Sequence, residues 1–142
     1  MKIGVIGVGF GTTVHIPAFQ SEGVEVLAVA ARHKTRALEA SKEFNIPHYF
    51  DDYKELLAME DLDAVSICSP HHLHYEMVME ALNQDKHILC EKPIDLSIEK
   101  VNECKRQIAD FDKSREYEPE PELFSLEEIP CASCKINGVK SI

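Results

Sequence analysis

The sequence predicts an α/β protein built on a doubly wound parallel sheet of about five strands, with an irregular tail at its C-terminus. Three observations carry this expectation. Short, mostly β-branched apolar runs stand at 2–6, 24–31, 64–68 and 87–90. Each is separated from the next by a segment with helical periodicity or a helix cap, an alternation that favours right-handed crossovers and helices on both faces of a parallel sheet. Finally, three glycines crowd into VIGVGFGTTVH, directly after the first run.

Taken in order, the first strand enters the glycine loop, and the helix after it ends at Ser21-Glu22-Gly23, where Gly23 suits the position just past a helix C-terminus. Thr35 to Phe44 predicts a charged amphipathic helix that offers Ala37, Leu38 and Phe44 for burial. Ile46 to Phe50 reads as a short strand, and Pro47 suits it to a sheet edge. Asp51 or Asp52 caps a helix through Met59. After the 64–68 strand, His72 to Asn83 presents Met77, Val78, Ala81 and Leu82 at helical spacing. Ser97 caps a last helix showing Val101, Cys104 and Ile108.

At 142 residues the chain is long enough for one domain with a proper core. That domain is assigned to residues 1–112. Residues 116–128 hold six glutamates and no Lys or Arg, with Pro119 and Pro121 among them, so 113–142 reads as an acidic tail, disordered or loosely packed. The formal net charge of −10 argues against a nucleic-acid partner, because phosphate backbones are bound by clustered Lys and Arg. No apolar stretch approaches the roughly 20 residues of a membrane span. The glycines of MKIGVIGVGF spoil the helical core of a signal peptide, so a cytoplasmic protein is expected. Of the five cysteines, Cys68 and Cys90 end apolar runs and read as small core residues in a reducing compartment. Cys131 and Cys134 have C-x-x-C spacing, but no second ligand pair follows, and no bound metal is expected.

The glycines raise the functional question. Gly7-Val8-Gly9-Phe10-Gly11-Thr12 follows a predicted strand and opens a predicted helix, the context in which such a loop binds a dinucleotide. Gly7 would permit the tight turn, and Gly9 would let backbone approach a pyrophosphate seated on helix N–H groups. The third glycine stands at 11, one residue earlier than the plain G-x-G-x-x-G pattern places it, and position 12 is Thr. The alternative is a glycine-rich turn of another kind. At the end of the second strand, Ala30-Ala31-Arg32 offers no acid for a ribose 2′-OH but a small residue and a guanidinium, which favours NADP over NAD. A solvated charge at a helix start is the competing reading.

In a doubly wound sheet the 2–6, 64–68 and 87–90 strands are neighbours whose C-terminal ends share one rim. Ser69-Pro70-His71-His72-Leu73-His74 and Glu91-Lys92-Pro93 would therefore face the same crevice as the glycine loop. His72 and His74 would point to different faces of a helix start, which argues against a metal site. Lys92 could reach into the cleft as a proton donor or an orienting charge, or it could be an ordinary surface lysine.

VIGVGFGTTVHIPAF, CSPHHLHYEMVMEAL and KHILCEKPI, in this order and spacing, resemble the N-terminal Rossmann domain of the Gfo/Idh/MocA oxidoreductases, which include glucose-fructose oxidoreductase and inositol 2-dehydrogenase. The resemblance covers residues 1–111. It implies that Gly7, Gly9, Phe10, Gly11 and Thr12 hold the cofactor pyrophosphate, and that Ser69, Pro70 and His74 also contact the cofactor. It gives Lys92 a catalytic or positioning role near nicotinamide and substrate, and Glu91 a cofactor contact. Family members are much longer and add a sixth strand and a substrate domain that supplies an acid and a histidine for proton transfer. In this chain the acidic stretch from Ser114 stands there instead, which points to truncation or an altered reading frame near residue 112.

The expected function is that of the NAD(P)-binding domain of an oxidoreductase transferring hydride between nicotinamide and a sugar-like or cyclic alcohol. The alternative is a truncated, non-catalytic dinucleotide-binding or regulatory module. A sheet that stops at 87–90 would leave an open edge. Self-association into a homo-oligomer is the favoured cover, ahead of the tail segment at 123–126.

Overall fold

A computed structural model describes residues 1–114. Its strands are β1 (Lys2–Ile6), β2 (Glu25–Ala30), β3 (His48–Phe50), β4 (Ala64–Ile67) and β5 (His87–Cys90). They form one parallel sheet in the order β3-β2-β1-β4-β5. The order reverses direction at β1, so the crevice above the ends of β1 and β4 is the topological switch point where ligands of such sheets bind. The Pro47 strand is an edge as expected, beginning at His48, since proline has no N–H for the ladder.

Between β1 and β2 the chain makes a five-residue π-helical turn (Gly11–His15) that runs directly into α1 (Ile16–Ser21). The remaining helices are α2 (Lys34–Phe44), α3 (Tyr53–Leu57), α4 (His74–Asn83) and α5 (Ile98–Ser114). Asp52 caps α3 by accepting from the Lys54 N–H at 2.9 Å, and the Ser97 hydroxyl accepts from the Lys100 N–H at 3.3 Å at the start of α5. α3 stops at Leu57 rather than Met59. Beyond it, the buried Lys86 ammonium donates to the Met59 and Leu62 carbonyls, both at 2.8 Å, and so satisfies the loop that leads into β4.

The core has two layers. α3, α4 and α5 cover one face through Leu56, Leu57, Met77, Val78, Ala81 and Cys104, packed on Ile6, Val65 and Ile67. On the other face Ile16, Ala40 and Ile46 pack against Ile3, Val5, Val26 and Val29. Burial on both sides is why the central strands read as continuous apolar runs rather than alternating ones. β5 differs, for its Ile88 and Cys90 are half-buried while His87 and Leu89 are exposed. The segment at 123–126 and the Cys131–Cys134 pair lie outside the described residues.

Candidate functional site

A cavity of about 850 Å³ opens along the C-terminal ends of β1, β2 and β4, within the range of small-molecule and cofactor pockets. Gly7 and Gly9 lie on one wall, Arg32 and Arg36 on a second, and Ser69 and Pro70 on a third. Sequence segments more than 60 residues apart thus meet at one rim, because β1, β2 and β4 are adjacent and parallel.

The glycines of the loop are there for different reasons. Gly7 has φ +108°, and a Cβ on it would lie 2.7 Å from the Cys68 carbonyl and 2.9 Å from the Ser69 nitrogen. The fold itself needs Gly7. Gly11 faces β1, where a Cβ would come to 2.9 Å from Val5 Cγ1. It gives the turn the close approach to the sheet that the third glycine of the plain pattern serves, one position early. Gly9 is unlike both. A Cβ there would meet nothing within 4 Å, so no intramolecular contact accounts for glycine at this point on the cavity wall. A ligand backed against the loop would account for it.

Around the loop, the Thr12 hydroxyl donates to the Val8 carbonyl at 2.6 Å, and that of Thr13 reaches the Gly9 and Phe10 carbonyls at 3.3 Å. Both hydroxyls therefore brace the turn. Phe10 is half-exposed beside it. At the β2 end, Arg32 in the loop before α2 and Arg36 in its first turns offer two guanidinium groups to the cavity. Asp51, Asp52 and Tyr53 face it from the end of β3. Burial, then the carboxylates of Glu76, Glu80 and Asp52, push the Tyr53 phenol up, so it meets the cavity as a neutral hydroxyl. Burial likewise raises the Cys68 thiol, against a lowering contact from Ser66.

Glu91, Lys92 and Pro93 extend from the end of β5 and form no part of the cavity wall. The Lys92–Pro93 bond is cis. His15 Nε2 donates to Glu91 Oε1 at 2.8 Å, and His15 Nδ1 lies 2.9 Å from Ser66 Oγ. His74 stands behind the wall, 1% exposed, with Nδ1 at 2.8 Å from the Pro93 carbonyl and Nε2 at 2.6 Å from that of Ser69. Both acceptors are carbonyl oxygens, so making both bonds takes a hydrogen on each ring nitrogen. His74 ties the loop after β4 to the turn after β5. Lys92 is exposed and takes part in none of the ion pairs found among the described residues.

Of the residues singled out from the sequence, Gly7, Gly9, Arg32, Ser69 and Pro70 line the cavity. Phe10, Gly11 and Thr12 shape its glycine side, while Glu91 and Lys92 belong to the adjoining turn, which His74 holds from α4. Three participants escaped the sequence reading. Arg36 had a usable signal, a second arginine close after Arg32 in the first turns of the helix that follows β2. His15 and Ser66 had none, since their partners lie 51 and 76 residues away. Among the described residues no cluster of His, Cys, Asp and Glu could hold a metal ion, and no helix is long and apolar enough to cross a membrane.

Comparison with known proteins adds the following. The profile of the Gfo/Idh/MocA family, described as an oxidoreductase family with an NAD-binding Rossmann fold, matches residues 1–114. An uncharacterized oxidoreductase of Synechocystis sp. is 39% identical over 104 residues, covering 72% of this chain and 28% of that protein. D-xylose 1-dehydrogenase (NADP(+)) 2 of Haloferax volcanii is 39% identical over 102 residues, 71% of this chain and 31% of the relative. Among solved structures, scyllo-inositol dehydrogenase from Lactobacillus casei with bound NAD(H) and scyllo-inositol superimposes with a TM-score of 0.74 at 30% identity. That match covers 80% of this chain and 34% of the other. The chain thus spans about a third of the length of these three proteins.

Proposed function

The chain belongs to the Gfo/Idh/MocA family of oxidoreductases, and on that premise we propose that its domain, residues 1–112, binds a nicotinamide dinucleotide, NADP(H) in preference to NAD(H). The observation that carries this reading is Gly9, a glycine on the cavity wall that the protein's own packing does not require. The pyrophosphate would lie against Gly7, Gly9, Phe10, Gly11 and Thr12 at the start of the π-helical turn, where helix N–H groups favour an anion. Arg32, joined by Arg36, would hold a 2′-phosphate, a group that rewards planar, permanently charged donors. Ser69 and Pro70 would flank the cofactor where it crosses from β1 to β4, with His74 holding their loop in place.

The nicotinamide, when bound, supplies or takes up a hydride. Lys92, exposed at the end of β5, would orient the reacting carbonyl or alcohol and hold or release its proton, with Glu91 as a neighbouring cofactor contact. The substrate class supported by the named relatives is a sugar-like or cyclic alcohol. A soluble cytoplasmic protein, without nucleic-acid or membrane partners and able to form homo-oligomers, fits the net charge of −10 and the place of β5 at the edge of the sheet among the described residues. Calorimetric titration with NADP(H) and NAD(H) tests the site and its preference together. Tighter binding of NADP(H) is expected; binding of neither refutes the reading.

A second reading is a dinucleotide-binding module without turnover, favoured by the position of Lys92 outside the cavity wall. Single-turnover oxidation of a polyol panel with added NADP separates the two. The module binds cofactor and oxidises nothing.

A further inference from the structure

We infer that His15 is a positioning residue that locks the Glu91-Lys92-Pro93 turn to the glycine-loop turn, so that Lys92 is presented at a fixed place beside the nicotinamide end of the cleft. The inference rests on the dinucleotide reading and assigns within that site a role to a side chain outside its wall.

His15 is the last residue of the π-helical turn and is 9% exposed. On one side it meets Ser66 Oγ, at the fully buried centre of β4. On the other, Nε2 holds Glu91, a carboxylate that can only accept. Phe10 and Phe19 stand edge-on to its ring at 5.4 and 6.0 Å and leave it little room to rotate. A partly buried hydrogen bond to a carboxylate, of this kind, is among the stronger contacts a side chain makes. It reaches the turn from the face of the sheet opposite α4 and α5, since Ser66 and Leu89 are in register and Leu89 points away from those helices.

The opposite flank of the turn is held independently, by His74 on the Pro93 carbonyl. The first and third residues of Glu91-Lys92-Pro93 are thus each fixed by a histidine, one from the segment after β1 and one from α4. The middle residue carries the free cation. Such an arrangement holds the backbone of the turn and leaves only the lysine side chain to move. Because His15 follows Gly11 within one turn of helix, a ligand seated on the glycine loop and the orientation of Lys92 share one support.

Two ligands that share the adenosine 2′-phosphate end make the test. Adenosine 2′,5′-bisphosphate occupies the Arg32 end and lacks nicotinamide, whereas NADPH spans the whole site. In calorimetric titrations His15→Ala is expected to weaken NADPH about tenfold, the loss typical of one hydrogen bond to a charged group, and to leave the bisphosphate within about twofold. His15→Gln, whose amide can still donate to Glu91, should recover most of the loss. Glu91→Ala, with His15 intact, removes the acceptor, should reproduce the selective loss and keeps the test independent of how well His15→Ala folds. Equal losses for both ligands, or unchanged NADPH binding in folded His15→Ala and Glu91→Ala, would overturn the inference. Wild-type protein that binds neither ligand overturns the dinucleotide reading and this role with it.

Discussion

β1 and β5 flank β4 in the same parallel sheet. β1 is buried on both faces, by α3 on one side and by the π-helical turn and α2 on the other, and its Val5 has no exposed surface. Among the described residues β5 is packed by α4 and α5, and Leu89 on its other face is 49% exposed. The two ends of the cleft inherit this difference. At the glycine loop and Arg32 the wall is the rim of fully buried strands, whose geometry is set by dense packing on both sides. At Lys92 the turn is held by two histidine contacts at the margin of the sheet. One end of the cleft owes its shape to burial and the other to individual hydrogen bonds.

The comparison is broken most violently at Gly7. Gly7→Val combines a positive φ with a clash against the Cys68 and Ser69 backbone, and should cost about 3 kcal/mol or more, enough to remove much of a domain's stability. Thermal unfolding by circular dichroism reads this directly. Gly9→Val, two residues on and facing open space, should unfold at the wild-type temperature while losing at least about tenfold in dinucleotide affinity. Unchanged affinity would remove the glycine loop from the site. Arg32→Ala comes next, with a loss of about tenfold for NADP(H), in line with a charge-assisted contact of roughly 1.5 to 3 kcal/mol, and almost none for NAD(H). If both cofactors lose equally, Arg32 grips something common to them.

Two smaller effects probe the β5 end. Burial, reinforced by Cys68, Cys104 and Glu91, pushes the Cys90 thiol from 9.0 up to about 12. Below pH 9.0 the thiol is protonated in both folded and unfolded chains. As pH rises from 9.0 towards 12 the unfolded thiol ionises first, so stability is lost across that window. Denaturation midpoints should hold level below pH 9.0 and fall above it, and Cys90→Ala should flatten that fall. Smallest of all, Leu89→Ala should change stability by less than about 0.5 kcal/mol, as expected of an exposed side chain. A larger loss that depends on protein concentration would mean that a second copy covers this face in solution.

The same contrast governs what could be read from the sequence. Strands buried on both faces announce themselves as apolar runs, and Gly7-Val8-Gly9 announces the turn between the first strand and the helix after it, so the sheet and its order were legible. The cavity residues at strand ends followed from that order. The grip on the second end was not legible, because His15, Ser66 and Glu91 come from three separate elements and nothing in their local spacing links them. His74 was legible as part of the rim but not as a buried strut, since an isolated histidine at a helix start looks the same in either role. The displacement of the third glycine to position 11 became intelligible only from its approach to Val5.

Lys86 lies at the opposite rim of the sheet from all of this, its amine closed over by the Met59 and Leu62 carbonyls. An amine held in this way is shielded from acylating reagents for as long as the loop before β4 stays shut, while Lys92 stands in the open. Within a single chain the two lysines therefore report on different events: acylation of one tracks access to the cleft, and acylation of the other counts the openings of the domain.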